Sequence, residues 1–313
     1  MDVALGVRPL VPSRIFSHRT TAVDAARRGP AAYLALTKPR IIELLLVTTI
    51  PTMVLAERGW LSIGLMIATF CGGALAAGGA NAINMIIDRD IDALMERTKS
   101  RPLVTGAVTP TRAVVFAVVL EVVAFVVLAV FANLLAAVLA LSATVFYVVV
   151  YTLWLKRTSR QNIVIGGAAG AAPVLVGWAA VTNDLSWAPM VLFALIFLWT
   201  PPHFWALAIR HREDYRAAGV PMLPVVTPIR ETIAAMVRYT VLLVWTSLVM
   251  VPVGDLGLIY GITALVFGVA FVIGTVRLGA DPTTAKSMRL FSFSITYVTV
   301  LFVAMTADVL ILG

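Results

Sequence analysis

Nine stretches of apolar residues, each near the roughly 20 residues that cross a bilayer as a helix, recur along this chain with charged segments between them. They fall at 41–56 (extended upstream through Tyr33), 61–87, 113–132, 134–155, 162–181, 187–209, 232–253, 256–276 and 291–311. In hydrocarbon, backbone N–H and C=O groups must be satisfied internally, which continuous apolar runs of this length achieve as helices. With 60% hydrophobic and only 13% charged residues, the chain is far from a soluble domain's balance. The fold class expected is all-α: a polytopic membrane protein, a bundle of nine transmembrane helices.

Basic residues orient the bundle, because Lys and Arg collect on the cytoplasmic side. They crowd the segment up to Arg40, the loop from Asp88 to Arg112, Lys156 to Gln161, Arg210 to Glu231, and Arg277 to Leu290. The alternate connections hold Arg58, and Arg238 lies within a span. The N-terminus is therefore expected in the cytoplasm and the C-terminus outside, in a multi-pass plasma-membrane protein. The net charge of +8 then follows from topology and from anionic headgroups of the lipid bilayer, and needs no nucleic acid partner. Cys71, the single cysteine, lies in an apolar run, so a disulfide framework is excluded. Residues 1–32 contain several arginines without a long apolar core; they read as a poorly ordered cytoplasmic tail, not a cleaved signal peptide, ahead of a transmembrane domain at 33–313.

The chemistry is concentrated in NAINMIIDRDIDALMERTKSRPL, from Asn81 to Leu103. Asn84, Asp88 and Asp92 recur every four residues, so a helix places them on one face, one turn apart. Three oxygen-bearing side chains so placed suit a divalent cation, and Arg97, Lys99 and Arg101 follow at once. A hard-metal carboxylate site beside a cationic strip fits a diphosphate, whose oxygens the metal and the basic residues share. Lys38 and Arg40, around Pro39, either anchor the first helix at the headgroups or add to that pocket. Glu43, about one turn into the membrane, needs a partner such as Lys38 or Arg40, and Glu121 in the third span must be paired or line a wet cavity.

Small residues fill the second span around Gly72 to Ala80 and the fifth around Gly166 to Ala172, which suits close helix packing. Tyr147 and Tyr151, ahead of Lys156, Arg157 and Arg160, read equally as an interfacial aromatic belt or as the entrance to a diphosphate site. Pro201 and Pro202 are expected to break the sixth span. His203, beside that expected break and flanked by Trp199, Phe204 and Trp205, is either a hydrogen-bonded structural residue or a substrate contact. Arg210-His211-Arg212-Glu213-Asp214-Tyr215-Arg216 follows, so an acidic-basic cluster recurs four helices after the first. That spacing suggests two four-helix halves, each delivering a polar loop to one cytoplasmic site, plus a ninth helix.

At these residues the chain resembles the UbiA superfamily of intramembrane prenyltransferases. Asn84-xxx-Asp88-xxx-Asp92 is similar to its first aspartate-rich motif, which in the family binds prenyl diphosphate through magnesium. The strings LTKPR, NMIIDRDIDALMERTKSRPL, YTLWLKRTSRQNIVIGGAAGAAPVLVGW, WTPPHFWALAI and DYRAAGVPMLPVV carry the likeness further, to the branch that modifies haem. Relatives in quinone pathways carry two aspartates four residues apart in a second motif; here Asp214 is followed at that spacing by Ala218, the form shown by the haem branch. The resemblance implies transfer of the farnesyl group of farnesyl diphosphate to a vinyl group of haem B, water adding to give haem O. It implies Mg2+ held by Asn84, Asp88, Asp92 and Asp214. It implies diphosphate contacts from Lys38, Arg97, Lys99, Arg101, Lys156 and Arg157, and an acceptor side formed by His203, Trp199 and Trp205. Tyr147, Tyr151, Arg212 and Tyr215 would line the site, and a downstream haem A synthase is an implied partner. A prenyltransferase for an aromatic quinone precursor is the nearest alternative. A secondary transporter would share intramembrane acids and broken helices, but gives no reason for a metal-diphosphate constellation.

Overall fold

A computed structural model describes residues 29–312, the side chains of residues 40–46 excepted. Most of the tail at 1–32, and the side chains of Arg40 and Glu43, lie outside the described residues. Among the described residues the regular structure is entirely helical. A short α1 (Pro30–Leu36) leads into α2 (Pro39–Glu57), α3 (Ile63–Ile87), the short α4 (Arg89–Leu94), α5 (Pro110–Phe131), α6 (Leu134–Thr158) and α7 (Asn162–Thr182). Then come α8 (Trp187–Arg210), the short α9 (Arg212–Ala217) and α10 (Leu223–Val226), and the long α11 (Ile229–Val253), α12 (Leu258–Ala280) and α13 (Thr284–Leu312). Eight of these are long and apolar enough to cross a membrane, and α2 is the ninth long helix, its apolar described part being Val47–Glu57. The chain is a multi-pass membrane protein, with helix limits close to those the apolar runs predict.

Local chemistry sets the helix starts. Pro39 and Pro110 open α2 and α5, where a missing N–H costs nothing. Asn133 caps α6 by accepting from the Ala136 N–H at 2.9 Å, and its amide donates across to the Ala179 carbonyl of α7 at 2.6 Å. At the start of α12 the buried Asp308 carboxylate of α13 accepts from Gly257 N–H at 2.6 Å and Tyr260 N–H at 2.8 Å, satisfying two groups a helix end leaves orphaned. Buried hydroxyls turn back on their own helices, as Thr52 does to the Thr48 carbonyl (2.7 Å) and Thr240 to that of Met236 (2.8 Å).

The largest core joins α7, α8, α11, α12 and α13 around Trp199, Trp205, Phe271, Tyr297 and Phe302. A second, alanine-rich core joins α3, α5, α6 and α7. Where α7 crosses α2, Gly177 lies so close that a Cβ there would stand 2.9 Å from the Thr49 carbonyl oxygen. That backbone oxygen cannot rotate aside. Glu121 accepts from Thr144 Oγ1 at 3.2 Å and packs on Gly79, so a protein partner answers the question of its burial.

The expected break at Pro201 and Pro202 does not occur: α8 runs unbroken from Trp187 to Arg210 with both prolines inside it. Two N–H donors are still missing, but in an apolar medium opening the helix would strand more polar groups than continuing it, and packing neighbours hold the segment. Thr200 bonds the Ile196 carbonyl through its hydroxyl at 2.9 Å just before the first proline.

Replacing Gly177 by Ala is expected to lower the thermal midpoint in detergent, by about 1–3 kcal/mol of stability if the overpacking resembles other cores. Gly170→Ala, with nothing within 4 Å of the added Cβ, is the control and should leave the midpoint level or raised. Equal midpoints for both variants would refute the close-packing account of α2 on α7.

Candidate active site

Asp88 ends α3 at φ −85°, ψ 5°, yet its N–H still reaches the Asn84 carbonyl (2.9 Å) and the Asp92 N–H reaches that of Asp88 (2.8 Å). The one-turn spacing therefore passes unbroken through the junction with α4, and Asn84, Asp88 and Asp92 are all buried, at 2%, 0% and 1% exposure. Asn84 Nδ2 donates to Asp88 Oδ2 at 2.7 Å and to Thr152 Oγ1 of α6 at 3.1 Å. Lys156 forms an ion pair with the same Asp88 oxygen. Both cross-helix contacts join residues 68 apart in sequence, so α3 and α6 run parallel and in register along this face.

The end of α6 departs from α geometry over Phe146–Leu155, where the bonding pattern is π-helical. Lys156 N–H bonds the Tyr151 carbonyl, and Thr152 Oγ1 reaches that of Tyr147 at 2.9 Å, each five residues back. Tyr147 and Tyr151 stack with centroids 5.4 Å apart, and Gly166 of α7 provides the space for the Tyr151 ring. A π segment in a membrane helix marks functional ground often enough to be informative here.

Other cations come from three directions. Lys38 sits in a left-handed turn (φ 52°, ψ 65°) between α1 and α2, a conformation a lysine adopts at a cost. Asn81 Nδ2 pins that turn through the Thr37 carbonyl (3.1 Å), and Lys38 Nζ donates to Asn84 Oδ1 at 2.7 Å. Arg101 pairs with Asp92 Oδ2 at 2.5 Å, while Thr98 Oγ1 bonds the Asp92 carbonyl at 2.9 Å. Arg157 grips Asp90 with two bonds of 2.7 Å, which hold that carboxyl down to about 2, and it also donates to the Ile87 carbonyl at 3.0 Å. Beside this pair a cleft of about 420 Å³ is lined by Ile86, Ile87, Arg89, Asp90, Leu153 and Arg157.

The second polar loop reaches the first. Arg97 lies over the Tyr215 ring, 5.9 Å from its centroid, with its guanidinium 3.5 Å from the hydroxyl. Beneath them Ile91 and Met95 pack with Ile163, Tyr215, Val220 and Met222 in one small core. Burial lowers the basicity of His211, Arg97 pushes the same way, and Asp214, 3.6 Å off, opposes both. Arg212 Nε is buried without a hydrogen-bond partner. Lys99 stands apart: half-exposed, it pairs with Glu96 at 2.5 Å.

His203 is tied to a different part of the bundle. Its ring lies between Trp199 (4.2 Å) and Phe291 (4.4 Å), and Nδ1 is 2.6 Å from Ser294 Oγ. Trp199 Nε1 donates to the Ser294 carbonyl at 2.8 Å, so one serine of α13 orients both rings. Trp205, 2% exposed, packs edge-on against Tyr239.

The donor set can be tested against a divalent cation and a diphosphate. Asp88 Oδ1 and Asp92 Oδ1 are buried without a hydrogen-bond partner, a costly state for carboxylate oxygens. Among the described residues no three His, Cys, Asp or Glu side chains converge on one point, and Asp214 stands with His211. Protein oxygens from Asn84, Asp88 and Asp92 thus suit a cation that completes its shell with other oxygens, as Mg2+ does with phosphates and water. Thr152, Asp90, Ser294 and Phe291 are parts of these arrangements that no local motif flags.

The chain belongs to the UbiA prenyltransferase family, whose model matches residues 45–302. Relatives named protoheme IX farnesyltransferase match it almost end to end. That of Kineococcus radiotolerans is 49% identical, covering 93% of this chain and 94% of its own length; that of Gloeobacter violaceus is 55% identical, covering 88% and 91%. Among solved structures, a digeranylgeranylglyceryl phosphate synthase aligns with TM-score 0.74 at 19% identity, covering 89% of this chain and 98% of that one. A UbiA homologue from Archaeoglobus fulgidus bound to GPP and Mg2+ aligns with TM-score 0.61 at 18% identity, covering 88% and 99%.

Asp88 is wholly buried, with Lys156 on one carboxylate oxygen and Arg157 3.9 Å from the other. Lys156→Met is expected to destabilise the protein by about 3–5 kcal/mol, the usual result of stranding one member of a buried pair. Adding Asp88→Asn should restore most of the thermal midpoint. A Lys156→Met midpoint equal to the parent's would show that the pair does not hold the fold.

Proposed function

We propose that this chain transfers the farnesyl group of farnesyl diphosphate to a vinyl group of haem B, with addition of water, forming haem O and releasing diphosphate. The observation that carries the reading is the pair of oxygens, Asp88 Oδ1 and Asp92 Oδ1, that lie buried without a hydrogen-bond partner beneath converging cations. Relatives about 50% identical over nine-tenths of the chain favour haem over an aromatic quinone precursor as acceptor. A fold shared with a homologue bound to GPP and Mg2+ supports the metal and the class of donor.

In this reading Asn84, Asp88 and Asp92 hold Mg2+, with Asp214 assigned to the second loop's share of the site. When bound, the ion supplies Lewis-acid polarisation of diphosphate oxygens. Lys38, Arg97, Arg101, Lys156 and Arg157, with Lys99 at the rim, stabilise the negative charge that grows as the bond between farnesyl C1 and oxygen breaks. Diphosphate leaves with that electron pair. Tyr147, Tyr151, Arg212 and Tyr215 line the donor side, and the apolar bundle keeps stray water from the allylic cation. The vinyl π electrons then bond to farnesyl C1, water adds at the carbon next to the porphyrin ring, and one proton is lost.

His203, Trp199 and Trp205 form the acceptor side. With Nδ1 committed to Ser294, contact with haem iron or a propionate falls to Nε2. The asymmetry of basic residues supports a cytoplasmic N-terminus, an outer C-terminus and cytoplasmic site loops, and the membrane assigned in this reading is the plasma membrane. Residues 33–313 form the transferase domain, and a haem A synthase is a fitting consumer of the product.

Asp88→Ala and Asp92→Ala should each abolish turnover while the protein still inserts, and Asn84→Ala should be milder, because an amide holds a cation less strongly than a carboxylate. Mass spectrometry of the product from haem B and farnesyl diphosphate checks both the reaction and its loss; near-normal turnover in Asp88→Ala would sink the site.

Charge reversal at Arg97 or Arg101 should raise KM for farnesyl diphosphate well above any change in KM for haem, and more than reversal at the outward-paired Lys99. His203→Ala should do the opposite, weakening haem binding and moving the Soret band while the donor KM holds. Equal losses for both substrates in every variant would contradict this division of labour.

A further inference from the structure

Asn162, the first residue of the 21-residue α7, is 1% exposed, and neither its Nδ2 nor its Oδ1 has a hydrogen-bond partner. Its backbone is settled, the N–H bonding the Ser159 carbonyl at 3.2 Å. A buried amide left unpaired at both ends costs stability that an apolar side chain of similar size would return. The position offers no packing reason to prefer an amide, since its neighbour Ile163 sits in an ordinary apolar cluster.

Its neighbours in the chain lie beside the carboxylate segment. Ile163 packs with Ile91 and Met95, which flank Asp92 on the segment carrying the carboxylates. One turn further along, Gly166 lies against the Tyr151 ring. The same end of α7 follows Lys156, Arg157 and Arg160 after a short turn and presents the positive pole of a long helix, where anions are favoured. The His203 sandwich, by contrast, is tied to α13 through Ser294.

We infer that Asn162 is a substrate-binding residue whose amide donates to an anionic oxygen of the donor's diphosphate. The inference rests on the farnesyl diphosphate reading above. A haem propionate offers the same oxygen chemistry, and the two sources separate by which KM responds. Asn162 thereby costs the empty protein stability and returns it when the anion binds.

The test uses the full-length protein in detergent. Thermal midpoints are measured with and without Mg2+ and inorganic diphosphate, and KM is measured for farnesyl diphosphate and for haem B, in the parent, Asn162→Leu and the isosteric Asn162→Asp. For Asn162→Leu the ligand-free midpoint should equal or exceed the parent's, the upward shift on adding diphosphate should shrink, and the donor KM should rise roughly tenfold or more, as for loss of a bond to a charged group. Haem KM should be unchanged. Asn162→Asp, which keeps the shape and adds a like charge, should lose the diphosphate shift as well. A lowered ligand-free midpoint in Asn162→Leu with the diphosphate shift intact in both variants would make the amide structural and overturn the inference. So would a rise in haem KM alone. A parent that neither shifts with diphosphate nor turns over would overturn the farnesyl diphosphate reading and this one together, whereas a responsive parent with unresponsive variants overturns this one alone.

Discussion

Two carboxylates at the junction of α3 and α4 are kept buried, and the surrounding architecture answers to that placement. Asp88 and Asp92 are tolerable there because Lys156 and Arg101 neutralise them, and because Asn84, Thr98 and Thr152 take up neighbouring polar groups. Each partner arrives from a separate piece of chain. The turn before α2, the loop after α4 and the π-helical end of α6 must all converge for the charges to balance. Removing Lys156 or Arg101 leaves a carboxylate charge in a low-dielectric setting, so the contacts that balance Asp88 and Asp92 also tie these pieces of chain together.

Much of the bundle is legible in the sequence because the bilayer dictates the length of each span. The apolar runs at 187–209 and 232–253 become α8 and α11 within a few residues. The carboxylate face was equally open to reading, since a spacing of four survives whatever the helix packs against. What escapes is the choice of neighbour. Nothing near Thr152 indicates that it meets Asn84, and nothing near Ser294 indicates that it orients both Trp199 and His203, because those contacts depend on which helices lie side by side. Asp90 reads as one more charge in an acidic run until Arg157 is brought over it.

Pro201 and Pro202 teach a related lesson about medium. The proline rule describes a helix whose freed carbonyls can turn to water. Inside a packed membrane bundle that outlet is missing, and α8 continues. His203 accordingly sits on a regular helix face, and its setting is fixed by aromatic stacking and by one serine rather than by an opened backbone.

The π-helical stretch of α6 has an evolutionary corollary. Its ten residues, Phe146–Leu155, set the rotation at which Thr152 and Lys156 arrive beside Asn84 and Asp88. Inserting or deleting one residue ahead of Thr152 would turn everything after it by about a quarter of a revolution or more and shift it about 1.5 Å along the axis. Side chains in this stretch are free to drift between lineages, while its length is not. Among descendants of this chain, indels should collect in the outer connections and be purged from the last three turns of α6.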